Sequence, residues 1–436
     1  MKSIPAPLFA LLLSASLPSG PLHAAGPATV DEALAQARKA HQPVLIDFSA
    51  PWCYSCYFMA THVLNGKEWE TLRGNVVVAD VDADSPDGNA WMKKLQVKAL
   101  PAYVVLNEDG AELGRILAEQ PREAFYPNVH KILAGANTLD ALKGKAAGGS
   151  LTAVGEVMAS FQARGEGKAG LDWYAGLPQP VRDGAAKDAT IGLWLDRLEL
   201  ARADRAEDKP GVIKAAQRVL GQDIGCDRPY VVEQLLDASE KQPEAPRRAL
   251  LAPQKPRLDE LLAKQVFVAH PSCADQRSSV LAAADLDAAL GDAKAEAAVL
   301  DRAIAATRAR LGDDLKKDRN AADNLRVYLA RARREAELDA LYPKLIAAYP
   351  DDYVYAYRYG KSLLDRQQAA KALPLFEQAA DKAYGVNRLT VATLRVKALK
   401  ALHRGADAEQ VVADVLEQNG RWFPEQVAKL EEALKS

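Results

Sequence analysis

Cys53-Tyr54-Ser55-Cys56 sets two thiols three residues apart, and the flanking stretch decides what they can do. Residues 44–48, Val-Leu-Ile-Asp-Phe, have the length and residue types of a buried parallel strand. After a short turn, Cys56, Met59, Ala60, Val63 and Leu64 recur at helical spacing. Cys53 therefore falls at a helix N-terminus, where unpaired N–H groups and the positive end of the macrodipole favour thiolate over thiol. Cys56 lies one turn deeper on the apolar face, and two intervening residues keep the sulfurs near the separation a disulfide needs. Such a pair can carry out thiol–disulfide exchange: Cys53 attacks a substrate disulfide, a mixed disulfide forms, and Cys56 resolves it. A metal-transfer pair is the competing reading of the same two thiols.

The elements that must position the pair follow on either side. Thr29 and Glu32 make a capping box, and the helix they open runs to about residue 40, with Pro43 ending the connection to the strand. Residues 75–81 are the next strand, with Asp80, Asp82 and Asp84 alternating at its carboxyl end, a pattern that reads as a solvated rim. A short helix at 91–95 leads to Leu100-Pro101. Residues 103–106 and 112–117 alternate around Asn107-Glu108-Asp109-Gly110 as an antiparallel hairpin. Phe125, Val129, Ile132 and Leu133 form the apolar stripe of a closing helix.

In this order and in these residues the chain resembles the thioredoxin superfamily over residues 29–133, roughly a quarter of its length. Trp52 matches the family's tryptophan before the first cysteine. The resemblance implies an α/β thioredoxin-like domain in which Asp47 is the buried acid behind the dithiol and Pro101 the cis-proline facing it. In that position Asp47 can take the proton from Cys56, and desolvation should raise its pKa toward the working pH. Leu100 would offer its backbone as a short edge for a substrate strand. Trp52 and Tyr54 flank the first sulfur and, with Tyr57 and Phe58, divide between core packing and an apolar collar for a protein client. Tyr54-Ser55 is neither the Gly-Pro of thioredoxin nor the Pro-His or Gly-His of its strongly oxidising relatives, and Ser49 replaces the usual aromatic. That central pair leaves open whether the domain reduces, oxidises or isomerises.

At 436 residues the chain suggests two to three domains, and 49% apolar with 26% charged residues is a soluble globular composition. Lysine and arginine number 56 against 58 acids, for a net charge of −2, so no basic excess is present for nucleic acid. Residues 1–25 read as a cleaved signal peptide: Lys2, an apolar stretch at 4–17, and Leu22-His23-Ala24 before the cut. The expected location is the periplasm, with no membrane span after cleavage. Cys226 and Cys273, the remaining two of four cysteines, fit a structural disulfide in an exported chain. No histidines pair at metal-ligand spacing, so His62 reads as an exposed helix residue, and neither a metal nor a cofactor is expected.

The domain plan is a thioredoxin-like domain at 26–140, a linker at 141–150 built on Lys-Gly-Lys-Ala-Ala-Gly-Gly-Ser, and an all-α remainder. Helical stripes without a defensible period occupy 151–277. In 278–436, Leu338, Tyr342 and Leu345 recur as Ala372, Phe376 and Ala379 and again as Ala408, Val412 and Val415, at 34 and 36 residues. That spacing, with Tyr359-Gly360 at a close helix crossing and Pro350 ending a unit, resembles tetratricopeptide helical repeats. Two functions follow. One is a periplasmic thiol–disulfide oxidoreductase, a reductase or isomerase of protein disulfides, whose helical region recruits a client or a thiol electron-transfer partner. The other is a periplasmic scaffold or chaperone-like adaptor in which the thioredoxin-like domain is a docking element.

Overall fold

The computed structural model describes residues 27–435 apart from 28, 136 and 421, so the signal peptide expected at 1–25 lies outside the described residues. Helix α1 (Val30–Ala40) starts where Thr29 Oγ1 accepts from Glu32 N at 3.2 Å, and it buries Val30, Ala33, Leu34 and Ala37. Strand β1 (Val44–Ser49) follows, then α2 (Tyr54–His62), α3 (Gly66–Arg73) and β2 (Val77–Asp82). Helix α4 (Pro86–Lys94), the hairpin β3 (Ala102–Leu106) and β4 (Glu112–Leu117), and α5 (Arg122–Gly135) complete the unit. The sheet order is β2-β1-β3-β4, with β1 parallel to β2 and antiparallel to β3. Parallel pairing needs a crossover, and α2 with α3 supplies it.

Alternation along β1 divides the core into two layers. Val44, Ile46 and Phe48 meet α1 and Trp91, while Leu45 meets Phe58, Met59, Trp69, Tyr103 and Phe125 on the other face. Asp47, two residues after Leu45, shares the second face with the cysteine helix. The plan is that of a thioredoxin-like fold followed by a large all-helical region, and among the described residues every strand lies before residue 118. No described helix is long and apolar enough to cross a membrane.

Where the sequence suggests a linker at 141–150, a helix occupies Leu139–Ala147. Thr138 caps it, accepting from Ala141 N at 3.3 Å, and Ala146 is fully buried in one core with Val154, Met158 and Phe161. Of the small residues that suggest flexibility, Ala146 packs into that core while Gly144, Ala147, Gly148 and Gly149 stay exposed, and only 148–150 bridge to the next helix. The boundary expected at 277–278 falls inside the first turn of Gln276–Ala289, and a single core runs across it from Leu200 to Tyr355.

Several turns in the helical region share one device, a left-handed residue two positions before the second helix of a hairpin. It is Gly165, Glu207, Gly291, Arg333, Gln367 and His403, the last three spaced by the 34 and 36 residues seen in the sequence. Gly360 sits where helix Val354–Asp365 crosses Ala369–Ala380, and a Cβ there would come within 2.8 Å of the Phe376 ring.

Candidate active site

Cys53 is the N-cap of α2 and is disulfide-bonded to Cys56, with its Sγ also accepting from Cys56 N at 3.1 Å. That N–H is one of the unpaired donors of a helix start, so in the reduced protein it would stabilise a thiolate on Cys53. Both cysteines pack with Ala50, Ala83, Met92 and Leu100. The Leu100–Pro101 peptide is cis.

Burial pushes the Asp47 carboxyl up to about 7, and the charge of Asp80, its partner across the β1–β2 pair, adds to the shift. Asp47 Oδ1 is buried without a hydrogen-bond partner. A cleft of about 350 Å³ reaches Asp47 and Cys56 together, walled by Tyr103, Asp82 and Tyr384. A carboxyl poised near neutrality beside the second cysteine can accept a proton from it.

The rest of the neighbourhood comes from the helical region. Trp52 O accepts from Arg358 Nη2 at 2.7 Å, and Tyr54 O accepts from Asn320 Nδ2 at 2.8 Å. The Arg277 guanidinium lies 3.6 Å from the centroid of the Tyr54 ring, and that of Arg319 lies 4.2 Å from Tyr57. Arg277 and Arg358 are fixed in turn by Asp323, which is fully buried and accepts from both at 2.6 Å while also pairing with Arg326. On the other side, Trp52 Nε1 donates to Asp84 Oδ2 at 2.7 Å, and Asn387 Nδ2 donates to the same oxygen at 2.8 Å. Cys53 is left 4% exposed and Cys56 9%.

Three expectations change in this setting. The acids at the end of β2 are not a solvated rim: Asp80 is exposed, but Asp82 accepts from Tyr384 and Asp84 is buried against Asn387 and Val386. His62 is not a free helix residue, since its Nε2 lies 2.9 Å from Asp318 Oδ2 and 2.9 Å from Arg310 Nη2. Tyr54 and Tyr57 are covered by the chain's own arginines, while Trp52 remains 40% exposed and Leu100 half-buried. Cys226 and Cys273 are disulfide-bonded to each other.

Glu119, Asp275, Arg277, Asp323 and Arg358 carry no motif and were not singled out by sequence reasoning. Burial, with Asp275 adding and Arg277 opposing, pushes the Glu119 carboxyl up to about 9. The available signal was the run Asp318-Arg-Asn-Ala-Ala-Asp-Asn, which places polar side chains on the face a helix would bury.

Residues 26–108 match the family model described as thioredoxin-like. This part of the chain is a thioredoxin-like domain. It is 37% identical over 87 residues to the thiol:disulfide interchange protein DsbD of Klebsiella pneumoniae, which covers 20% of this chain and 14% of that protein. The thiol:disulfide interchange protein TxlA homolog of Synechocystis is 29% identical over 104 residues, 23% of this chain and 55% of the relative. The chloroplastic thioredoxin-like protein HCF164 of Oryza sativa is 27% identical over 119 residues, 27% of this chain and 42% of the relative. The chain therefore spans only part of each relative, 14% in the case of DsbD.

Proposed function

We propose that the chain is an exported, periplasmic thiol–disulfide oxidoreductase acting on protein disulfides through Cys53 and Cys56. The observation that carries this reading is Cys53 capping α2 with Cys56 N–H on its sulfur, above a buried carboxyl held near 7. In the reducing direction the Cys53 thiolate attacks one sulfur of a substrate disulfide, forming a mixed disulfide and releasing the other sulfur as a thiolate. Asp47 takes the Cys56 proton, Cys56 attacks Cys53 Sγ, and the substrate leaves as a dithiol while Cys53–Cys56 closes. Oxidation of a substrate is the same path reversed. Leu100, Pro101, Trp52 and the exposed part of Tyr54 form the substrate edge.

The relatives named as interchange proteins support the chemistry, and the leader-like residues 1–25 together with two disulfides support export. The spacing of the left-handed turns supports a tetratricopeptide-like stack over 278–436. A Cys56→Ala variant should accumulate mixed disulfides with clients, and Cys53→Ser should trap none and lose insulin reduction; wild-type activity in both variants would refute the reading. Equilibration with glutathione then sets the direction, with a potential near roughly −270 mV marking a reductant and one near roughly −120 mV an oxidant.

The near-complete burial of Cys53 favours a second reading, a scaffold in which the helical region grips the thioredoxin-like domain as a docking element. Partner binding that survives replacement of both Cys53 and Cys56, with no loss of phenotype in the cell, would select it.

A further inference from the structure

The second disulfide lies in the part of the helical region that holds the active site. Cys273 is two residues before Asp275, whose Oδ2 accepts from Tyr54 OH at 3.3 Å and from Tyr230 OH at 2.6 Å. Between them, Ala274 packs into the thioredoxin-like core with Phe58, Met59 and Tyr126. Cys226 lies one turn before Tyr230, at the entry to helix Arg228–Ala238. The disulfide thus ties together the two segments that supply Tyr230 and Asp275. Their shared hydrogen bonds end on Tyr54, the residue that follows Cys53.

Other ties to that tyrosine are independent of the disulfide: Arg277 over its ring and Asn320 on its carbonyl. Residues 268–273 are held by two backbone bonds, from Ser272 N and Cys273 N to Gln265 O at 3.1 and 3.3 Å, before Asp275 caps helix Gln276–Ala289 with Oδ1 accepting from Ser278 N at 2.9 Å. With so little secondary structure before that cap, the stretch takes part of its position from the cross-link. Access is asymmetric as well. Cys226 is partly exposed, whereas Cys273 is 1% exposed, so an incoming thiolate reaches Cys226 Sγ and displaces Cys273.

We infer that Cys226–Cys273 is a redox latch: its reduction by a protein dithiol frees the Asp275–Tyr230 grip on Tyr54 and opens Cys53 to bulky substrates. The step balances as a dithiol exchange. One thiolate of the donor attacks Cys226 Sγ, the Cys226–Cys273 bond breaks, and Cys273 leaves as a thiolate that takes up a proton. The donor's second thiol then displaces Cys226, so the donor ends as a disulfide and the latch as two thiols. Two electrons and two protons have moved. The inference deepens the oxidoreductase reading by adding control of access to the same dithiol.

The test uses the full chain carrying Cys56→Ala, in which Cys53 is a free thiol. Alkylation at the Cys53 peptide is followed by mass spectrometry with two reagents, iodoacetamide and a polyethylene-glycol maleimide, before and after dithiothreitol opens Cys226–Cys273. The same ratio is measured in the Cys56→Ala, Cys226→Ser, Cys273→Ser protein. With the latch open, the rate for the bulky reagent should rise roughly tenfold relative to the small one while helix content is retained, a change on the scale set by losing one charge-assisted hydrogen bond. An unchanged ratio with helix retained overturns the latch, and so does a loss of helix content on reduction, which would make the bond a structural staple. Alkylation needs only the Cys53 thiol, so a shift in the ratio stands even if Cys56→Ala traps no client.

Discussion

Replacing Asp47 with asparagine keeps the shape of the side chain and removes its charge, which isolates the electrostatic cost of the buried acid. Its carboxyl is raised from 3.8 to about 7 by burial and by Asp80. The difference is about 3 pKa units at about 1.4 kcal/mol each, so keeping Asp47 ionised in the folded protein costs about 4 kcal/mol as an upper bound. Because the folded pKa lies above the unfolded one, the native state holds the extra proton between about pH 4 and 7. Stability of the wild type therefore declines as pH rises through that window and levels off above it, whereas Asp47→Asn has no such decline. The advantage of the variant should grow by about 3 kcal/mol between pH 5 and pH 8. Urea unfolding of the oxidised protein, followed through Trp69 and Trp91 in the two core layers, reads this directly. An advantage that is the same at both pH values, or a carboxyl titration of Asp47 near 4, would refute the burial argument.

Three further perturbations address the contacts around the dithiol. Asp323→Asn removes the carboxylate that Arg277, Arg326 and Arg358 share; although burial opposes ionisation, these three cations hold its pKa well below the usual carboxylate range. The loss should be about 3–5 kcal/mol by denaturant melting near neutral pH, with the gap between variant and wild type narrowing as pH falls below the usual carboxylate range. Gly385→Ala adds a Cβ 2.2 Å from Asp84 O at a residue with φ of +53°, and it should open the contact between Asp84 and residues 386–387, seen as faster amide exchange there and at Trp52. Trp52→Phe deletes the 2.7 Å bond to the buried Asp84 carboxylate and should cost about 1–3 kcal/mol in thermal or denaturant stability; no change would mean that Asn387 alone satisfies that oxygen.

Legibility in the sequence tracked how local the signal was. The apolar run before Cys53, the helical spacing after it and the alternation around Asn107–Gly110 each depend on neighbours a few residues apart, and each element stands where those patterns put it. The burial of Asp47 was readable through the resemblance, which implies an acid behind the dithiol, and from the type of strand, since β1 is buried on both faces. The hold of the helical region on the active site was not, since it is made of pairs such as Trp52 with Arg358 and Asp84 with Asn387, some 300 residues apart. A polar residue on a helix face looks the same in sequence whether water or a distant carboxylate completes it. The helix at Leu139–Ala147 was missed for a different reason: the glycines at 144, 148 and 149 lower local helix propensity and read as a linker, although the alanines favour helix and Ala146 packs fully buried.

Everything proposed for the dithiol rests on Cys53 reacting as a thiolate at the start of α2. Titrating the reduced protein by its ultraviolet thiolate absorbance, with Cys56→Ala to assign the first ionisation, tests that most directly. The expected result is a Cys53 pKa well below the roughly 8.5 of a free thiol. A value at or above that figure would mean the helix N-terminus and the Cys56 N–H give no stabilisation, and the thiol–disulfide account would fail.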